Sequence, residues 1–245
     1  MNKFLDKLGL FDLFAVLLPG ICFLCMCLFS AINFEDCAFL SSIIKNLTNY
    51  MTSDNKMVVI FIFFILSYIS GMALDQLFRI IESLFPQIFK EYRECWYNFQ
   101  ETENIKREMA QRIFDKVEMD IGKHSDDLTR KDPKYQRFIH QYCMTALEVT
   151  GGIEKAEKMS AISEMSGSIF LTCSIGIIFM VLCLLENICA NQFKYIVIAY
   201  IFILLLLSVL FYKRYDQFKC FRVNATLKSY YIQFIAQLNI MDNAH

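Results

Sequence analysis

The sequence predicts an all-α integral membrane protein with four transmembrane helices, a cytoplasmic helical hairpin and an amphipathic C-terminal helix. Hydrophobic residue types make up 56% of the 245 residues, above the roughly 45–50% that is usual in soluble domains. The 24 basic and 25 acidic residues are almost absent from four apolar stretches and crowded between them. The polar stretches in turn carry apolar residues at helical spacing.

Four stretches are long enough to cross a bilayer. A spanning helix needs roughly 20 mostly apolar residues, because each residue rises about 1.5 Å and the hydrocarbon layer is about 30 Å thick. The predicted spans cover 13–32, 57–74, 166–185 and 193–212, and none has a charged residue in its middle. The first run is too long for a signal peptide and lacks a small-x-small cleavage site, so we expect it to be retained.

Basic residues near the span ends predict the orientation, because Lys and Arg favour the cytoplasmic side. They lie before the first span, after the second, before the third and after the fourth, at Lys3, Lys7, Arg79, Lys90, Arg93, Lys155, Lys158, Lys213, Arg214, Lys219 and Arg222. The opposite flanks hold only Lys45, Lys56 and Lys194. Both termini and the central segment are therefore predicted to be cytoplasmic, in a multi-pass protein of the cell inner or plasma membrane.

The spans divide the chain into four regions. Residues 1–75 hold spans one and two with an amphipathic outer-loop helix at 36–51, residues 76–165 form the cytoplasmic hairpin, residues 166–212 form the transmembrane hairpin of spans three and four, and residues 213–245 form the cytoplasmic tail helix.

Two breaks are predicted inside the cytoplasmic hairpin. Pro133 marks the start of the returning helix, and Gly151-Gly152 interrupts that helix before span three. The tail helix carries its own apolar stripe, so it either completes a three-helix bundle with the hairpin, the favoured arrangement, or lies along the inner membrane surface. The alternative is that part of these stripes forms contacts between subunits of a homo-oligomer.

Several residues in and beside the spans carry structural predictions. Pro19-Gly20 is expected to kink span one. Ser67-x-x-x-Gly71 and Thr172-x-x-x-Gly176 present small residues one turn apart, which lets helices approach closely. These faces are where spans two and three pack or where subunits meet.

Two further pairs are predicted at the membrane surfaces. Asp75 and Arg79 lie one turn apart at the cytoplasmic end of span two, so an interfacial ion pair is expected rather than ion coordination. Cys37 and Cys189 both fall in predicted outer loops, where an oxidising compartment would allow a disulfide.

Enzyme signatures are missing from the sequence. The three histidines form no metal-ligand motif; His140 and Cys143 would supply half a metal site, and a surface or core pair is the favoured interpretation. There is no Gly-x-Ser-x-Gly, Walker loop or dinucleotide turn. We therefore expect no catalysis, cofactor or metal. A net charge of −1 also gives no reason to expect direct nucleic-acid binding.

The opening Phe11-Asp12-Leu13-Phe14, followed by Leu18-Pro19-Gly20, is similar to an aromatic-Asp then Pro-Gly opening in small four-span membrane components of bacterial antiphage defence operons. The order of spans and cytoplasmic helices resembles those components too. They include membrane effectors triggered by nucleotides and sensors such as the Kiwa membrane subunit. The resemblance implies a membrane setting in antiviral defence and assigns a role to no individual residue.

Three functions compete at this stage. The first is a non-enzymatic, oligomeric membrane sensor or effector, whose cytoplasmic helices receive a partner or signal and whose spans perturb or open the membrane. The second is an anchor or scaffold for a soluble partner protein encoded nearby, and the third, less favoured, is a small transporter. Phe99 and Tyr142 are the candidate partner-binding residues. The expected partners are the lipid bilayer, further copies of the chain and that soluble protein.

Overall fold

The computed structural model describes residues 10–33, 56–85, 104–122, 125, 127–189 and 195–236. In these residues the chain is helical and forms no strand. The helices are α1 (Leu10–Asn33), α2 (Lys56–Leu84), α3 (Asn104–Ile121), α4 (Asp127–Arg130), α5 (Pro133–Thr150), α6 (Glu154–Cys189) and α7 (Tyr195–Tyr231), followed by a π-helical turn at Ile232–Ala236. The predicted all-α class is confirmed.

Three helices are long and apolar enough to cross a membrane: Met57–Leu84 in α2, Glu154–Leu182 in α6 and Val197–Ala236 in α7 with the π-helical turn. A shorter apolar helical stretch, Leu13–Leu28, lies in α1. Length and composition thus indicate a membrane protein, and several apolar helices are compatible with more than one pass.

The chain divides into two compact units. Unit 1 comprises Met1–Leu84 and Glu164–Tyr215, and unit 2 comprises Phe85–Ser163 and Asp216–His245. The segments of each unit are far apart in the sequence, so each unit is assembled from both halves of the chain.

Unit 1 contains two antiparallel helix pairs. In the first, the backbone of α1 at Gly20 touches α2 at Ser67, whereas α1 at Val16 touches α2 at Gly71. Residues nearer the start of α1 therefore touch residues nearer the end of α2, which means that the two helices run antiparallel. The α6–α7 pair behaves in the same way, because Phe170 meets Tyr212 and Gly176 meets Leu204.

The outward faces of unit 1 are apolar. Phe61 and Phe202 are 67% and 68% exposed, and they belong to a large set of exposed aliphatic and aromatic side chains on α2, α6 and α7. Exposing this many apolar side chains is costly in water and favourable in a lipid environment. Between α6 and α7, the smaller buried cluster comprises Ile169, Cys173, Met180, Val197 and Leu204.

Unit 2 has a hydrophobic core of its own. Its buried members come from α3, α5 and the turn after it, the first part of α6 and the last part of α7, namely Ala110, Ile113, Phe114, Val117, Ile139, Cys143, Leu147, Ile153, Ala156, Val223, Leu227 and Tyr230. Within this unit the C-terminal part of α7 therefore packs with the helices of the central segment.

Local sequence sets both ends of α5. Pro133 occupies the first turn, where a missing N–H costs nothing, and the Asp132 side chain accepts a hydrogen bond from the Lys134 N–H at 3.1 Å. Gly151 ends the helix with φ of +76°, a left-handed conformation that favours glycine. The predicted restart at Pro133 and break at Gly151-Gly152 are confirmed.

Several predictions lie outside the described residues. They are the outer-loop helix at 36–51, Cys37, Phe99 and the middle of the first hairpin helix. Cys189 is the last residue of α6, and its side chain is also outside the described set.

Candidate functional site

The first group of interacting polar residues lies in unit 1, where the end of α2 meets α6 and α7. Arg79 binds Asp75 one turn earlier at 3.0 Å and reaches Glu164 of α6 at 3.4 Å. On the same helix, Glu82 accepts a 2.5 Å hydrogen bond from the Tyr215 hydroxyl of α7. We refer to these five residues as the end cluster.

An aromatic contact holds the same three helices together. Phe78 is 2% exposed and packs edge-on against Phe170 of α6 and Tyr215 of α7, with ring centroids 6.4 and 5.0 Å apart. Gly167 makes room for this ring, because a Cβ there would overlap it. The end cluster and Phe78 together fix the positions of α2, α6 and α7 at one end of unit 1.

The small residues of α2 contact α1. A Cβ on Gly71 would overlap the carbonyl oxygen of Val16, and a Cβ on Gly20 would overlap that of Ser67. Pro19 and Gly20 are both buried within α1, which continues as a helix through them. The motif in span two thus serves the α1–α2 contact in this structure, whereas the sequence predicts a contact with span three or with another subunit.

Thr172 and Gly176, the small residues predicted in α6, have different surroundings. A Cβ on Gly176 would overlap the Met26 sulfur of α1 and would lie 3.1 Å from Leu204 of α7. Thr172 is buried and donates its hydroxyl to the Ser168 carbonyl of its own helix at 2.9 Å. Gly167 of α6 therefore packs against Phe78 of α2, whereas Gly176 packs against α1 and α7.

The second group lies in unit 2, at the turn between α3 and α5. Glu118 of α3 is 2% exposed, and its two oxygens accept from Arg130 Nε at 3.0 Å and Nη2 at 2.6 Å. The Tyr135 hydroxyl donates to the same carboxylate at 3.1 Å, and the Ser125 N–H does so at 3.4 Å. We call Glu118 and its three partners the turn network.

Two further contacts complete the surroundings of Arg130. Its Nη2 also binds Asp115 at 2.7 Å, and its guanidinium lies 5.5 Å from the centre of the Phe114 ring. The hydrogen bonds from Arg130 hold the pKa of Glu118 below its usual value, and the bond to Glu118 raises the pKa of Arg130. This is a fully ionised, multiply bonded pair that fixes the turn.

Sequence reasoning missed the turn network, although one signal pointed to it. Glu118 follows Ile113, Phe114 and Val117 on the apolar face of α3, where a solvated acid is not expected. An acidic residue within an apolar stripe predicts a buried partner, because an unpaired buried carboxylate is costly. Its spacing does not reveal that Arg130 is that partner.

The candidate partner residue Tyr142 is half-buried within unit 2. Its hydroxyl donates to Asp120 at 3.3 Å, and its ring packs edge-on against Tyr230 at 6.5 Å. The large apolar side chains that this unit exposes among the described residues are instead those of Phe85, Met119, Phe138, Val149, Phe221 and Ile232, of which Val149 is 82% exposed.

The interior of unit 2 also holds a neutral histidine. His140 is 2% exposed, and burial together with the charge of Arg222 lowers its pKa to about 3. Cys143, one turn later, is fully buried, and burial raises the pKa of its thiol. Both residues lie in the interior of the unit, as the core-pair interpretation expects.

Within the described ranges, no three His, Cys, Asp or Glu residues are grouped so that they could hold a metal ion. Neither a protein-family model nor a curated protein nor a solved structure matches this chain.

Proposed function

We propose that the chain is a membrane-anchored sensor or effector, in which unit 1 is the four-span membrane part and unit 2 is a cytoplasmic receiving domain. The observation that carries this proposal is the contrast between the units' surfaces and interiors. Unit 1 exposes apolar side chains on its long helices, whereas unit 2 buries an apolar core of its own behind charged helices. Such a pairing suits one unit in lipid and one in water.

The antiparallel pairs in unit 1 support this topology. Phe78 of α2 contacts Tyr215 of α7. Arg79, next to Phe78, therefore lies at the same end of the unit as Lys213 and Arg214, which directly precede Tyr215. Under the positive-inside rule, that end is cytoplasmic. With α1 as the remaining span, both termini of the chain are then cytoplasmic.

The state of Cys220 provides an independent check on this orientation. Cys220 is disulfide-bonded in the structure, whereas the cytoplasm normally keeps thiols reduced. A cytoplasmic unit 2 predicts that Cys220 is alkylated by a thiol reagent when cells are lysed and denatured without reductant. Resistance to alkylation until reductant is added would place unit 2 in an oxidising compartment.

The polar groups of unit 1 favour signalling or anchoring over transport. The hydroxyls of Ser67, Thr172 and Ser174 each donate to a carbonyl one turn earlier in their own helix, at 2.8–2.9 Å. Side chains engaged in this way offer little to a solute. Asp75, Arg79 and Glu82 of the end cluster lie in the last third of α2, whereas carriers usually place their charged groups near the middle of the bilayer.

The receiving role is assigned to the exposed apolar side chains of unit 2. Met119 and Val149 are 69% and 82% exposed on helices whose other exposed positions are largely polar. We expect Met119→Glu and Val149→Glu to abolish co-purification of a soluble partner encoded nearby. Gln141→Glu, at an exposed polar position of α5, is the matched control and should retain the partner.

Membrane opening is the test of the effector function. The resemblance to antiphage components suggests expression with the neighbouring genes and phage challenge as the trigger. Depolarisation or entry of an impermeant dye, lost in the Val149→Glu variant and kept in Gln141→Glu, is the expected result. An intact membrane together with a retained partner would favour the scaffold function. That alternative draws support from the turn network, which holds one end of unit 2 in a single preformed arrangement.

A further inference from the structure

The disulfide-bonded Cys220 lies in the part of α7 that belongs to unit 2. It is half-buried and packs against the hydrophobic core of that unit. The other cysteines whose side chains the structure describes are free, namely Cys22, Cys25, Cys27, Cys143 and Cys173. The partner of Cys220 is therefore one of the remaining four cysteines of the sequence, which are Cys37, Cys95, Cys183 and Cys189.

Helix geometry excludes Cys183 and Cys189 as the partner. A disulfide needs two Cα atoms within about 7 Å of each other. Cys220 lies 16 residues beyond Leu204 on the continuous helix α7, which is a distance of about 24 Å. Leu204 lies beside Gly176 of α6, and the antiparallel α6 continues from there in the opposite direction. Both cysteines of α6 are therefore farther than 24 Å from Cys220.

The direction of α1 excludes Cys37 in the same way. The end of α2 lies beside Tyr215 of α7, and α1 runs antiparallel to α2, so α1 ends at the far end of unit 1 from Tyr215. Its last residue, Asn33, lies 17 residues beyond Val16, or about 25 Å. Cys37 follows four residues later, and so short a segment extends about 14 Å at most. It cannot return to Cys220.

Cys95 is the cysteine that remains. It belongs to unit 2, as Cys220 does, and lies outside the described residues. We propose that Cys95 and Cys220 form a reversible disulfide, which makes unit 2 responsive to the redox state of the cytoplasm. The proposal rests on the proposed function, because only a cytoplasmic unit 2 is normally kept reduced and is oxidised on a signal.

The two described cysteines of unit 2 differ in accessibility. Cys143 is fully buried, and burial raises the pKa of its thiol, so it stays protonated and unreactive. Cys220 is instead partly exposed at the edge of the core. Cysteines that respond to oxidants are partly exposed and have a second cysteine within reach. Cys220 therefore suits this role, whereas Cys143 does not.

The oxidant of the proposed step is a hydroperoxide. The thiolate of one cysteine attacks the peroxide O–O bond, which forms a sulfenic acid and, with hydrogen peroxide, releases one water. The second thiol attacks the sulfenic sulfur, forms the S–S bond and releases another water. A cellular dithiol reverses the change: it attacks the disulfide, passes through a mixed disulfide and leaves as its own disulfide, with both protein thiols restored.

The bond joins two distant parts of unit 2. It links residue 95, which precedes α3, to α7, and the same helix continues from unit 1, where it includes a candidate membrane span. Closing so long a loop reduces the conformational entropy of the unfolded chain. We therefore expect the oxidised protein to be more stable than the reduced protein.

The pairing is tested by mass spectrometry on the full-length chain. Cells are treated with hydrogen peroxide or left untreated, free thiols are alkylated in denaturant at lysis, and the purified protein is digested with trypsin without reductant. Trypsin separates the two cysteines, because Arg93, Lys106, Lys219 and Arg222 flank them. We expect both cysteines to be alkylated before treatment and a rise of at least tenfold in the peptide 94–106 linked to 220–222 after it.

Variants and stability give a second measurement. Cys220→Ser and Cys95→Ser should each lose the linked peptide, whereas Cys25→Ser, at an exposed free cysteine of unit 1, should keep it. In detergent, the oxidised wild type should have a Tm several degrees above that of the protein reduced with dithiothreitol. Cys220→Ser should show the same Tm in both conditions.

The possible outcomes separate this proposal from the proposed function. A link from Cys220 to Cys37, Cys183 or Cys189 would overturn the pairing. Thiols that stay alkylated after peroxide would overturn the redox response and leave a cytoplasmic unit 2 intact. A link already complete in untreated cells would overturn both, because it would place unit 2 in an oxidising compartment. The wild-type mapping decides even if a variant fails to fold.

Discussion

Unit 1 and unit 2 both bury polar side chains, but they satisfy them in different ways. In unit 1, the buried hydroxyls of Ser67 and Thr172 bond to carbonyls one turn earlier in their own helices. In unit 2, buried Glu118 bonds to groups that lie 7 to 17 residues away in the sequence. Glu118 and its partners in unit 2 therefore specify one tertiary arrangement, whereas these two hydroxyls of unit 1 specify none.

The difference reflects what holds each unit together. Apolar side chains gain little by leaving lipid for a protein interior, so helices in a membrane associate largely through close packing. Unit 1 accordingly uses Gly20, Gly71, Gly167 and Gly176 at its interhelical contacts. Unit 2 has a hydrophobic core to drive association, and its turn network adds specificity to that core.

The largest expected effect comes from breaking the turn network. Glu118→Ala removes the main partner of Arg130, which leaves a guanidinium that is 12% exposed with only Asp115. Breaking a buried ion pair from one side typically costs about 3–5 kcal/mol. We expect a loss of that order in the free energy of unfolding of unit 2, measured by hydrogen exchange of the α3 and α5 amides in detergent.

Lys116→Ala is the control for that variant. Lys116 and Asp120 form a half-exposed pair one turn apart on the same helix, with side chains 25% and 28% exposed. A pair of this kind contributes about 0.5 kcal/mol or less. Equal effects of the two variants would mean that the turn network does not specify unit 2.

Unit 1 is tested by adding one methyl group. Gly71→Ala places a Cβ against the Val16 carbonyl, which is backbone and cannot rotate away, so α1 and α2 must separate. Overpacking of this type costs about 1–3 kcal/mol. A lower Tm of the detergent-solubilised protein is expected, with Met72→Ala, at the exposed neighbouring position, close to the wild type. A Gly71→Ala protein as stable as the wild type would show that close approach is not what joins these helices.

The sequence predicted local features better than their partners. Helix content and both ends of α5 followed from composition, Pro133 and Gly151, because each depends on neighbouring residues alone. The ion pair between Asp75 and Arg79 could also be predicted, because it depends only on their spacing of one helical turn; Arg79 Nε lies 3.0 Å from Asp75 Oδ2. The Ser67-x-x-x-Gly71 motif predicts close approach of another helix but does not identify that helix. In the same way, the residues near Glu118 and Arg222 in the sequence do not reveal which side chains of other helices contact them.

The last expected effect concerns acid sensitivity in unit 2, where burial keeps His140 neutral. Its pKa is about 3 in the folded chain against 6.5 for a free histidine, so between these values the unfolded state binds more protons and stability falls as the pH falls. At about 1.4 kcal/mol per pH unit, the free energy of unfolding should drop by about 2 kcal/mol between pH 7 and pH 5. Glu118, whose pKa is lowered, keeps its contribution over this range and loses it only at more acid pH. Urea unfolding followed by circular dichroism should show this slope for the wild type and for His245→Gln, and a flat profile for His140→Leu; a slope that persists in His140→Leu would assign the acid sensitivity to another group.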